Sequence, residues 1–266
     1  MFKLALLLSI YLLSFQSDRP SFEIIQHNDE GFDYFNRKIV VFGVDIYAAP
    51  GVEEERLLHA ANVMAQYLDN DEDGVPDNQL VLESMLASKA FMIMWENPKD
   101  LRREASPSDR EGQDLGNDET QPEFVANGMT GRFDASLEEV LHIITHAGYA
   151  KAYPQIFGEV KGTSIANAMD QARGGHHKKI PRQYPESSWY SYNDRTCAYA
   201  CQITEYHYWA LTSLLGAQIN RNKEINDEWQ LNTPELLSER DTAVYELLTD
   251  PKYAFPKVLP DGRYGL

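Results

Sequence analysis

The chain reads as a single helix-rich α+β domain with a small sheet. Two apolar runs dense in β-branched and aromatic residues, 38–47 and 91–95, predict buried strands. Several longer stretches repeat their apolar residues at helical spacing, and there is no internal repeat or low-complexity tract.

Taken in order, the chain opens with Met-Phe-Lys and an apolar run over 4–13 that turns polar at Ser17-Asp-Arg-Pro20. One positive charge before a short apolar core describes a signal peptide over residues 1–17, leaving 18–266 as the domain. Pro50-Gly51 ends the first strand. Residues 52–68 place Leu57, Leu58, Ala61, Met64 and Leu68 on one helical face, with Glu53, Glu54 and Glu55 suiting the dipole of the first turn. An acidic loop over 69–80 leads into a short helix over 79–87. After the strand at 91–95, residues 97–122 turn strongly polar, with Pro98, Pro107, Gly112 and Gly116, and read as a flexible excursion or lid. Phe124-Val125-Ala126 reads as a third strand. Helices follow from Ser136, over 163–173 (stopped by Gly174-Gly175), over 196–217 and from Asn232-Thr-Pro-Glu to near Pro251. Residues 174–195 are irregular.

With 41 acidic against 24 basic residues the net charge is −17, which opposes binding to DNA, RNA or anionic membranes and favours divalent cations as partners. No second apolar run approaches the ~20 residues of a membrane span, so the mature chain is expected to be soluble and secreted. Cys197 and Cys201 are the only cysteines. Four residues apart on a helix, their Cα atoms would lie about 6 Å from each other, within disulfide range. A local disulfide in an oxidising compartment is the expectation, with a free pair or metal ligands as alternatives.

Asp69-Asn-Asp71-Glu-Asp73-Gly74-Val75-Pro-Asp77 lies between two expected helices. It resembles the calcium loops of EF-hands, dockerins and thrombospondin-type repeats. The resemblance implies that Asp69, Asp71 and Asp73 converge on one hard cation, Gly74 makes the turn, Val75 gives its carbonyl and Asp77 completes the set. Leu80 stands where an EF-hand has its bidentate acid, a departure from the helix-loop-helix pattern.

Ser136-Leu-Glu-Glu139 has the form of a capping box, with Ser136 capping and Glu139 reaching back. Beyond it, Glu138, His142 and His146 stand four residues apart, which on a straight α-helix aligns them on one face. The stretch is similar to the active helix of zincin metallopeptidases over about a dozen residues. Two alignments are open. In one, Glu138 replaces the first histidine ligand, Glu139 is the general base and His142 the second ligand. In the other, His142 and His146 are the two histidines, and Ile143 stands where the base should be. Glu138 and His146 are about 12 Å apart along a straight helix, too far to share one ion. Gly148 follows His146, too late to bend the helix between them. A site therefore uses two neighbours plus a distant ligand, for which Glu205 and His207 on the long helix are the candidates. The resemblance implies a zincin-like fold, zinc as a second cofactor beside calcium, and metal-assisted hydrolysis of a peptide; a cleft walled by the aromatics below would suit a peptide or a saccharide. The alternatives are a non-catalytic calcium-binding matrix protein, or an inactive hydrolase relative. His176 and His177 read as exposed loop residues, and His27 and His59 have no partner in sequence. The aromatics Trp189, Tyr190, Tyr192, Tyr199, Tyr206, Tyr208 and Trp209 read first as packing, and otherwise as a cleft wall.

Overall fold

A computed structural model describes residues 22–103 and 109–265. The expected signal peptide lies outside them. Among the described residues no helix is long and apolar enough to cross a membrane.

The apolar run at 38–47 is a hairpin rather than one strand. β1 (Ile25–Gln26) pairs antiparallel with β2 (Arg37–Val41), and β2 pairs antiparallel with β3 (Val44–Ala48) in a register that sets Val41 opposite Val44. The two-residue loop is therefore Phe42-Gly43, with φ of 47° and 92°. Positive φ at both positions is the turn that matches the twist of paired strands. Phe42 hides it, because a bulky residue at positive φ carries no turn signal.

α1 (Glu54–Leu68) and α2 (Gln79–Ala87) form the crossover from β3 to β4 (Phe91–Trp95), which pairs parallel with β3. All five residues of β4 are buried, as a strand covered on both faces requires. β5 (Gly112–Gly116) pairs parallel with β4 and gives the order β1-β2-β3-β4-β5. It lies inside the segment expected to be flexible. Gly-Gln-Asp-Leu-Gly has little strand propensity, and the ladder of β4 imposes its conformation. Residues 117–120 then dock on the start of α1: Asn117 Oδ1 accepts from the Glu53 amide at 2.9 Å, and the Arg56 guanidinium donates to the Thr120 carbonyl at 2.8 Å. The strand expected at 124–126 is instead a helical turn, α3 (Glu123–Ala126). Four residues without a neighbouring strand find their hydrogen bonds locally.

α4 (Ser136–Ile143) packs across β4, β5 and α1. It continues without a break as a π-helical segment, Ile144–Tyr149, and returns to α geometry in α5 (Ala150–Ala152). The π segment packs on α2 at Gly148, where a Cβ would lie 2.7 Å from Val81 Cγ1 and 3.2 Å from Met85 Cγ. Replacing Gly148 by valine should overpack this contact and cost about 1–3 kcal/mol, read as a lower urea midpoint with unchanged slope.

α6 (Ser164–Ala172), α7 (Tyr199–Leu214), α8 (Asn222–Ile225), α9 (Pro234–Arg240) and α10 (Thr242–Thr249) complete the α+β domain. Thr163 and Thr233 cap α6 and α9 through their hydroxyls. Cys197 and Cys201 are joined by a disulfide, Cα–Cα 5.4 Å, that ties the approach to α7 to its first turn. Tyr190, Tyr206, Tyr208 and Trp229 are core residues.

Candidate metal centre

α4 does not begin as its sequence suggests. Asp134, buried, does the capping: its carboxylate accepts from the Ser136 amide at 3.2 Å and hydroxyl at 2.7 Å, and from the Gln121 amide at 2.9 Å. The same carboxylate meets His59 Nε2 at 2.7 Å, so His59, without a partner in sequence, anchors the site helix from α1. Tyr67 adds a second tie from α1, donating to the Leu137 carbonyl at 2.8 Å.

Glu139 does not reach back to the helix start. Its carboxylate accepts from Gln113 of β5 at 2.5 Å and lies 3.2 Å from His142 Nδ1. Glu138, Glu139 and His142 each offer a ligand atom within 4.8 Å of the others. From α7, Glu205 brings a carboxylate oxygen to 3.6 Å from His142 Nε2. That nitrogen is buried and has no hydrogen-bond partner. Tyr208 lies edge-on to the imidazole at 5.6 Å, and the phenols of Tyr208 and Tyr192 partly offset the effect of burial on Glu138 and Glu205 respectively.

The electrostatics follow from crowding three acids around one imidazole. Burial, then the charges of Glu139 and Glu205, hold Glu138 well above the usual carboxylate range against the pull of His142. Burial also raises Glu205, helped by Glu139. For His142, burial alone would lower the pKa. The Glu139 hydrogen bond and the charges of Glu205, Glu139 and Glu138 outweigh it and raise the pKa to about 10. Farther out, Trp209 Nε1 donates to Glu228 at 2.8 Å, and burial with the Glu205 charge pushes Glu228 up to about 7.

His146 and His207 stand apart from this group. His146 is held by acids from other segments instead. His146 Nδ1 lies 2.7 Å from Glu159, and its Nε2 lies 3.1 Å from Glu111. His207 follows Glu205 by two residues, which on a helix turns it about 200° away. It stacks on Phe157 at 5.6 Å beside Phe255, and burial with the charge of His142 depresses it to about 3. The geometry thus brings together the members of the first zincin alignment, while His146 of the second is engaged by Glu159 and Glu111.

The His146 network gives a pH prediction. The Glu159 hydrogen bond, against burial, and Glu111 raise the His146 pKa above the ordinary histidine value. Its contribution to stability is full below about pH 6.5 and fades as pH rises through the folded pKa. His146→Gln should lower the urea midpoint at pH 5.5 more than at pH 9, and an equal loss at both would exclude the ion pair.

In the acidic loop, ligand oxygens of Asp69, Asp71 and Asp77 lie within 4.8 Å of one another, the span an ion with bonds of about 2.4 Å covers across its diameter. Asp73 stands outside that trio, its carboxylate accepting from the Val75 amide at 2.8 Å. Gly74 makes the turn at φ 90°, its amide donating to Asp69 at 2.8 Å. Burial, then the charges of Asp71, Asp69 and Asp73, raise Asp77 against the Asn70 amide. The loop also clasps the C-terminal segment. Asn70 Oδ1 accepts from the amides of Lys257 and Val258 at 2.8 and 2.9 Å, and the Tyr264 hydroxyl donates to Asp69.

His176 and His177 are more enclosed than loop residues should be. His176 Nδ1 lies 2.9 Å from Asp170, and the Nε2 atoms of both rings are buried. Gln113 carries no sequence signal as a neighbour of the centre, whereas Tyr192 and Tyr208 belong to the aromatic group that the sequence offers as packing or a cleft wall. Tyr208 also stands at i+3 from Glu205 on α7. Comparison of the chain with protein-family models, with curated proteins and with solved structures returned no match.

Proposed function

We propose that this is a secreted, calcium-stabilised protein with a metal-dependent hydrolase centre formed by Glu138, His142 and Glu205, with Glu139 as general base. The supporting observation is the unpartnered, buried His142 Nε2, 3.6 Å from Glu205. That distance is too long for a good hydrogen bond. Two ligands bonded at about 2.1 Å to a tetrahedral ion stand about 3.4 Å apart, so the gap fits a shared ion. Three carboxylates enclosed around a single imidazole also suit a bound cation, because uncompensated buried charge is costly. A bound divalent ion would acidify a water molecule, and Glu139, oriented by Gln113, would take its proton. Elemental analysis of the purified full-length protein should find one equivalent of zinc or a similar ion beyond calcium, and its absence would end this reading.

A second reading is favoured by the closeness of Glu139 to His142. A protonated His142 can itself supply the positive charge, making the cluster an internal ion pair in a non-catalytic calcium-binding protein of the extracellular matrix. That protein would hold calcium and no transition metal. Under both readings Asp71→Ala should lower the melting temperature in calcium and leave it unchanged in chelator. Equal melting of variant and parent in calcium would exclude the loop as a calcium site.

A further inference from the structure

Where the ends of α7 and α10 meet the acidic loop, the structure holds a cavity of about 640 Å³. Its apolar wall includes Leu214 and Leu215 at the end of α7, Leu248 in the last turn of α10, and Phe255 and Pro256 of the C-terminal segment. Leu248, Phe255 and Pro256 are buried. The volume lies within the roughly 300–1,000 Å³ of sites that enclose a small molecule. The polar part of the wall is dominated by one sign of charge. Asp71 and Asp77 reach it from the loop, and Asp250 from the residue after α10. None of the three has a basic nitrogen within 4.0 Å among the described residues. Each engages a backbone amide through one oxygen: Asp71 that of Asp73 at 3.3 Å, Asp77 that of Asn70 at 2.7 Å, and Asp250 that of Lys252 at 2.9 Å. The second oxygen of each accepts no hydrogen bond among the described residues. The helices add to this field. The carboxyl end of a helix carries partial negative charge, and neither α7 nor α10 has a basic residue in its last turn. Lys257 is the one cation on the wall, and it is exposed.

We propose that this cavity binds a small organic cation with an apolar body, an alkylammonium in the simplest case, its chain against Leu248 and Phe255 and its charge beside Asp250 and the loop acids. An apolar anion would face three carboxylates and two helix carboxyl ends with a single lysine to answer them. A neutral apolar molecule would gain from the leucines alone and leave that negative potential unused. The site is separate from the metal centre and needs no calcium. Asp71 and Asp77 belong to the candidate calcium trio, so calcium should compete with the cation at the loop, while Asp250 and the helix ends keep part of the attraction.

The test uses the full-length protein in chelator and four probes measured by calorimetry: octyltrimethylammonium, tetramethylammonium, octanol and octanoate. Octyltrimethylammonium should bind one to one and at least tenfold more tightly than each of the others, and added calcium should weaken it severalfold. In Asp71→Asn/Asp250→Asn the preference for the cation over octanol should vanish with melting in chelator unchanged, whereas Asp250→Glu should keep it. Octanol binding as tightly as octyltrimethylammonium would overturn the recognition of charge. Tetramethylammonium binding as tightly would assign the attraction to the acidic surface at large and overturn the cavity as its place. Tighter binding of octanoate, or a cation affinity that calcium raises, would overturn the sign of the ligand. A preference that survives the double substitution would take the cation off this wall.

Discussion

Glu205→Gln should abolish tight zinc binding while leaving the metal-free protein at least as heat-stable as the parent. The loss should exceed the roughly 10- to 100-fold that removal of a mere supporting hydrogen bond costs, because Glu205 is the only member of the set contributed by α7. The stability result follows from charge. In the absence of metal, Glu205 is one of three carboxylates crowded on His142, and an uncharged amide of the same shape removes repulsion among them. His142→Ala should lose zinc equally but fall in melting temperature, since the three acids then have no cation among them. Zinc affinity by chelator competition and melting in chelator check both. The opposite signs in the metal-free state separate a ligand from a residue whose loss simply unfolds the helix. Retention of parental zinc affinity by Glu205→Gln would remove it from the ligand set.

The largest change in stability is expected at Asp134→Asn. Asp134 and His59 form a buried pair 2.7 Å apart, 1% and 5% exposed, and the carboxylate also holds the first turn of α4. Removing one partner of such a pair costs about 3–5 kcal/mol, because the other is left buried without compensation. In a domain of this size that is a fall of roughly 10 °C in melting temperature. The pH dependence has a definite sign. Burial works to raise the Asp134 pKa, but the hydrogen bond and charge of His59, with the Gln121 amide and Ser136, hold it below the usual value. The stabilisation is therefore complete above about pH 4, where the unfolded carboxyl is ionised, and is lost as pH falls through the lower folded pKa. Urea midpoints of parent and variant should differ at pH 7 and converge in acid. A constant gap would assign the effect to shape rather than charge.

These two residues differ in how far their roles were legible in the sequence. Glu205 stood out as an acid on a long, largely apolar helix, so it could be nominated as a distant ligand, though the choice between it and His207 waited on the orientation of α7. Asp134 gave no signal, because Ser136 three residues before Glu139 satisfied the capping pattern on its own. The acid that holds the turn was outside it, and its partner His59 is 75 residues away. The π segment is a similar case. Nothing in Ile-Thr-His-Ala-Gly-Tyr announces a wider turn, and the acids that engage His146, Glu111 and Glu159, lie 35 and 13 residues from it in the chain.

Periodicity and local chemistry alone determined the longer helices, the cysteine pairing and the acidic turn, because each depends on contacts between residues within about one or two turns, and the unbroken apolar run 91–95 marked β4 as buried. Tertiary structure decided the hairpin at Phe42-Gly43, the recruitment of Gly112–Gly116 into the sheet, and which donors surround His142. The reason is physical: a strand without propensity and a cluster of like charges are both unfavourable in isolation. Each exists because distant segments supply the missing hydrogen-bond ladder or the opposing imidazole.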